Sequence, residues 1–375
     1  MKLFKSLLVA PAALGLLAPV AATANEVTIN DFNPAEELAV TNSRVDGLEA
    51  RLNNFEAGSF SETTTASFSA NFYIGATDTD DGDNTTAADD RDDSVMAGYD
   101  FGIGLSTSFT GEDSLAITID SGNAGGAGYA EFNGDDTTDA LTVDGVSYTF
   151  PVGGATVMVA DNTDGSALFT TACVYGGPSN TLDDCANVTA GITGGGLALG
   201  ASYDFDNGFT AAAGAQFVET GIATEGNSDS WALNLAYTTD SYGVSVTYAM
   251  VEDGTQDDTF TALNGYYSFD NGLSISAGYE IGDLDGEAST ADETEAYFVG
   301  VNGEVGPGEL GAAVGTYGKM TESGGVMPER MMYEAYYSYA LNDGMTITPL
   351  IYTVEGVDAA DEDETGIMVK TSFSF

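Results

Sequence analysis

The 375-residue chain carries 59 acidic and only 8 basic side chains, a formal net charge of −51. That balance argues against nucleic acid and anionic lipid as partners, since both need basic patches. Histidine is absent, which removes Ser-His-Asp and Cys-His catalysis and every histidine metal site, and argues against an enzyme.

At the N-terminus, Lys2 and Lys5 precede an apolar stretch from Leu7 to Val20 that ends in Ala22-Thr23-Ala24. Residues 1–24 therefore read as a signal peptide cleaved after Ala24. No later stretch approaches the roughly 20 apolar residues that a spanning helix needs. Residues 25–64 read as a linker and a short coiled-coil stub, because Leu38, Thr41, Val45, Leu48, Leu52 and Phe55 alternate spacings of three and four. A short amphipathic helix packed on its own domain fits the same spacing.

From residue 65 to 375 the period becomes two. Ala66, Phe68, Ala70, Phe72 and Ile74 alternate with Ser67, Ser69, Asn71 and Tyr73, and similar runs recur at Tyr99–Leu105, Leu115–Ile119, Leu197–Phe205, Phe209–Phe217, Trp231–Tyr237, Tyr242–Tyr248, Leu273–Ile281 and Met345–Ile351. One parity is apolar; the other is glycine, hydroxyl, amide or acid. Segments of about ten residues with this alternation are the signature of a transmembrane β-barrel. The 48 glycines, 19 tyrosines and 19 phenylalanines suit twisted strands and aromatic girdles.

The connections alternate in length. Short ones such as Asp206-Asn207-Gly208, Asp270-Asn271-Gly272 and Asn342-Asp343-Gly344 favour tight turns, because Asn and Gly accept positive φ. Long ones occupy 77–94, 122–143, 161–195, 218–229, 252–259, 283–293, 319–330 and 355–364. Seven short turns and eight long loops predict sixteen antiparallel strands, with the first near Ala66–Ala76 and the last ending at Phe375. The loop Asp78-Thr79-Asp80-Asp81-Gly82-Asp83 has its glycine where an EF-hand loop needs a ligand, so it is read as a solvated acidic loop with at most loose divalent binding. Neither a metal site nor a cofactor is expected. Cys173 and Cys185 lie close together in an exported chain and read as a disulfide.

Three stretches carry a family resemblance. Asn342-Asp343-Gly344-Met345-Thr346-Ile347-Thr348-Pro349 resembles a strand of cyanobacterial outer-membrane porins related to the OprB carbohydrate-selective group. The tail Thr365–Phe375 resembles that family's closing strand, ending in the aromatic residue read by the barrel-assembly machinery. Val45–Leu52 with Glu56–Ser61 is similar to its coiled-coil-to-barrel junction. Family members carry an S-layer-homology domain before the coiled coil, and here only Asn25–Glu36 occupy that place.

The resemblance implies an outer-membrane porin, assembled as a homotrimer, through which ions and small hydrophilic solutes diffuse, carbohydrates among them. It also implies that the third long loop, 161–195, folds inward, with Asp161, Asp164, Asp183 and Asp184 near the constriction. A stapled external loop is the other possibility. Alternation places Asp100, Asp204, Glu280, Glu334 and Lys370 on the pore-lining parity, at the constriction or at the wetted rim. With few basic residues against these acids, cation preference is expected. A non-conducting structural or adhesive barrel and a soluble exported acidic β-protein are the alternatives.

Overall fold

The computed structural model describes residues 64–79, 95–125, 131, 134–222, 224, 227–253, 256–285, 292–322, 327–356 and 363–375. The expected signal peptide, residues 25–63 of the linker and stub, Arg91 and most of the acidic loop 78–83 lie outside them.

The strands are β1 (Thr64–Thr79), β2 (Met96–Thr107), β3 (Ser114–Gly122), β4 (Thr142–Val152), β5 (Ala155–Asp161) and β6 (Leu197–Asp204). Next come β7 (Phe209–Phe217), β8 (Ser230–Thr238), β9 (Tyr242–Asp253), β10 (Gln256–Ser268), β11 (Leu273–Asp283) and β12 (Glu293–Val305). The last are β13 (Gly308–Thr316), β14 (Met320–Thr321), β15 (Met331–Asn342), β16 (Met345–Val354) and β17 (Glu364–Ser374). The two-residue β14 continues β13 along β12, pairing Met320 with Glu295, so the two count as one barrel strand and the barrel has sixteen.

Pairing is antiparallel throughout, and β17 returns to β1 in register from Ser69↔Ser374 to Thr79↔Glu364. Reciprocal backbone bonds between Phe68 and Phe375 extend that seam to the last residue. A closed sheet leaves no unpaired edge, which is what a strand structure in hydrocarbon requires.

The alternation read from the sequence sorts side chains as expected. On β8, Leu233 and Leu235 are half exposed outward while Asn234 between them is 1% exposed. The short-turn rim carries outward aromatic pairs, among them Tyr203–Phe205, Phe209–Tyr237 and Tyr267–Phe269. In the Asp-Asn-Gly turns, Gly208 and Gly272 adopt φ of 88° and 82°, and the preceding Asn207 and Asn271 side chains accept the N–H of Phe209 and Leu273. The connection expected to be long at 252–259 differs: β9 and β10 stay paired as far as Asp253↔Gln256. Its polar residues continue the hairpin, and nothing in their composition distinguishes a tall strand pair from a loop.

Candidate functional site

The β5–β6 connection, residues 162–196, lies inside the barrel. Its backbone runs along a row of inward side chains, one per strand. Gly165 N–H donates to Gln216 Oε1 on β7 (2.8 Å), Thr170 N–H to Asn234 Oδ1 on β8 (3.1 Å), Ala172 N–H to Ser245 Oγ on β9 (2.9 Å) and Val174 N–H to Ser276 Oγ on β11 (3.0 Å). Asn302 on β12 then donates to Val174 O (3.3 Å), and Tyr175 Oη donates to Glu334 Oε1 on β15 (2.6 Å). On the return path Asn264 on β10 donates to Cys185 O (2.8 Å), and Gln216 Nε2 donates to Gly194 O (2.6 Å).

Two glycines make room for this approach. A Cβ on Gly278 of β11 would stand 1.7 Å from Cys185 O, and one on Gly214 of β7 would stand 2.0 Å from Gly165 O. Cys173 and Cys185 are disulfide-bonded with Cα atoms 6.5 Å apart, within the usual reach. The bond closes a ring that hangs from β10, β11, β12 and β15. Tyr175, Phe298 and Tyr336 pack beside it as a buried aromatic cluster.

The expected pore acids divide by role. Glu280 is 1% exposed and accepts the N–H groups of Thr189 (2.9 Å) and Ala190 (2.8 Å), so it holds the loop. Glu334 is likewise buried beneath the loop against Tyr175. Asp100 is buried on β2, bonded by Asn71 Nδ2 (2.7 Å) and by Tyr73 Oη. Lys370 Nζ lies 5.5 Å from the centroid of that same Tyr73 ring. Asp204 is exposed at the short-turn end of β6 and accepts the N–H of Asp206 in its own turn (2.8 Å).

Among the loop acids, Asp164 ties the loop's start to its end by accepting Gly194 N–H at 3.0 Å. Asp183 is exposed inside the barrel. Asp184 beside it is half-buried; burial first, then the Asp183 charge, pushes its carboxyl up to about 7. Asp161 is a correction. It ends β5 on the same parity as Val159, which is 43% exposed outward, so strict alternation turns its carboxylate away from the lumen.

Sequence reasoning missed several inward acids, among them Glu309 on β13, which accepts Tyr336 Oη (2.7 Å) and Asn302 Nδ2 (3.3 Å). Asp120 on β3 lies over the inner face of Gly102, with Asp144, Asp135 and Asp100 around it. Asp120 follows Ile119 on the polar parity of a run already recognised, so its signal was present. Asp144 is the extra residue at a bulge, where Ile119 pairs with Val143 and Thr118 with Gly145. Asp135 and Glu131 come from the β3–β4 connection, whose irregular sequence carries no period. Glu131 is 1% exposed and accepts the Thr181 hydroxyl (3.1 Å) and N–H (3.3 Å); its burial pushes its pKa above the usual range.

The geometry is that of a barrel with one loop strapped to the β7–β12 and β15 wall. Asp120, Asp144 and Lys370 stand on strands away from that strap. Within this frame, the sequence profile of the Gram-negative porin family matches residues 161–359, just over half of the chain and including the inward loop.

The chain belongs to the Gram-negative porin family.

The barrel of this porin is similar to the anion-selective porin from Comamonas acidovorans, with a TM-score of 0.62, 14% identity, and coverage of 84% of this chain and 99% of that one. It is also similar to Pseudomonas putida OprB, with a TM-score of 0.58, 11% identity, and coverage of 84% and 94%. An uncharacterised protein of Nostoc sp. strain PCC 7120 is 32% identical over 163 residues, covering 37% of this porin and 27% of the relative's own length. The resemblance read from the chain's ends is thus borne out at the level of family and fold. Family and barrel together point to an outer-membrane channel.

Proposed function

We propose that this porin passes ions and small hydrophilic solutes by passive diffusion and prefers cations. The observation that carries the reading is the set of charges around the passage. Asp183 and Asp184 belong to the loop and Asp120 and Asp144 to the wall, while Lys370 is the one strand cation among the described residues. The three described cations, Lys319, Arg330 and Lys370, each lie over an aromatic ring, of Phe260, Tyr317 and Tyr73 respectively. Negative charge inside low-dielectric walls concentrates cations and repels anions. A sixteen-stranded barrel leaves an aqueous channel, so small neutral solutes, carbohydrates among them, would also pass. The Comamonas neighbour is anion-selective, but a likeness at 14% identity is one of fold, and ionic preference follows the lining residues of each chain.

The test is planar-bilayer recording across a potassium chloride gradient. In dilute salt the reversal potential should report a clear preference for potassium. That preference should shrink as the salt rises, because the Debye length contracts from about 8 Å at physiological salt to about 3 Å at 1 M. A channel that favours chloride in dilute salt would overturn the reading. We further infer export through the cleaved segment 1–24, delivery by the barrel-assembly machinery and assembly as a homotrimer among outer-membrane lipids. Intact mass and crosslinking of the detergent-extracted protein test the processing and the assembly.

A further inference from the structure

We propose that Gln216, Asn234, Ser245, Asn264 and Ser276 are positioning residues for conduction: their uncharged side chains fix the inward loop at a set depth and so determine the width of the passage, independently of the acids that set its ionic preference. The inference rests on the channel reading above.

The five sit on five successive strands, β7 to β11, and each makes a hydrogen bond to the backbone of the loop. All are at most 6% exposed, and their outward neighbours Leu233, Leu235, Val244, Val246, Leu263 and Ile275 are exposed. The bonds fall on both arms of the loop: Thr170, Ala172 and Val174 going in, Cys185 and Gly194 coming back. With Cys173 bonded to Cys185, displacing one arm drags the other. Hydroxyls and primary amides do not titrate in the working pH range, and bonds sealed from water are little screened by salt. Width should therefore hold constant as rising salt weakens selectivity.

A buried N–H left without its acceptor costs the full desolvation of that group, whereas an alanine on the inward face leaves the ladder of the strand untouched. Losing one such bond should raise the ratio of undocked to docked loop about fivefold, and losing two about twenty-fivefold where the sites act independently.

The experiment compares single-channel records of wild type, Ser276→Ala, Ser245→Ala with Ser276→Ala, and Ser274→Ala in potassium chloride. Ser274 is the control, because its hydroxyl bonds Ser268 at 2.9 Å. Time spent in a second, larger conductance level should rise about fivefold in the single variant and about twenty-fivefold in the double. The reversal potential of the main level should not move, and Ser274→Ala should match wild type. If folded double-variant channels, recognised by their heat-modifiable gel mobility, gate like wild type, the proposal is wrong; Ser276→Ala decides alone should the double variant fail to fold. A shifted reversal potential without a new level would also overturn it, since width and selectivity would then share residues. Wild-type protein that conducts nothing would instead refute the channel reading on which the proposal depends.

Discussion

Asp184 concentrates the chemistry of the passage in one carboxyl. Burial and the adjacent Asp183 hold it at about 7, with Glu280 adding to the same push. It is charged above that pH and neutral below it. Lowering the pH through about 7 should therefore reduce potassium preference, and Asp184→Asn should flatten that step while leaving conductance in place. Reversal potentials measured over a pH series check this. The loop's docking runs the other way. An acid whose pKa is raised in the folded state binds its proton more tightly there, so docking gains as pH falls from about 7 toward the ordinary carboxylate range near 4 and has lost that gain once the pH is above 7. A loop released more readily at high pH is thus expected in the same records.

At the scale of elements, legibility depended on whether information was local. Strand parity is written in each strand's own residues, so Phe68, Phe72 and Ile74 outward and Tyr73 inward could be read from the sequence. The sorting of short turns from long connections could be read for the same reason, except at 252–259, where β9 and β10 continue as a hairpin. The loop's path could not. Gln216, Asn234 and Ser245 look like any wetted wall, and nothing local says that a distant stretch of backbone will lie on them. Inward glycines were legible as glycines but not as clearances. Gly278→Ala puts a methyl where Cys185 O now sits, so the β11 wall and the disulfide ring cannot both keep their places. The expected cost is about 1–3 kcal/mol of barrel stability, or an equivalent displacement of the ring. Guanidinium unfolding in detergent, beside single-channel conductance, separates the two outcomes.

For the whole molecule, closure depends on a seam whose final pair is the last residue. Phe375 exchanges backbone bonds of 2.9 and 3.0 Å with Phe68, and their rings stack with centroids 5.7 Å apart. Two backbone bonds at about 1 kcal/mol each and one ring pair at about 1 kcal/mol make this the pin of the barrel's rim. Deleting Phe375 should cost about 3 kcal/mol and lower the yield of heat-modifiable, folded barrel. A yield and unfolding midpoint equal to wild type would show that the seam holds without it. The seam was visible in the sequence as an aromatic end on a period-two run. Its partner strand followed from the expected closure of first strand on last, but not the register that brings residue 68 to residue 375.

The wall side chains grip the loop almost entirely by its N–H and C=O groups, which every residue but proline supplies in full. Most of the loop's own side chains, outside those such as Cys173, Cys185, Tyr175 and Asp164 that tie it down, can therefore vary without its losing its course. A wall acid away from the strap, such as Asp144, can likewise be exchanged for an amide or a lysine, altering what the passage favours and leaving the strap where it was. A barrel built this way can be retuned one substitution at a time, its scaffold indifferent to the outcome.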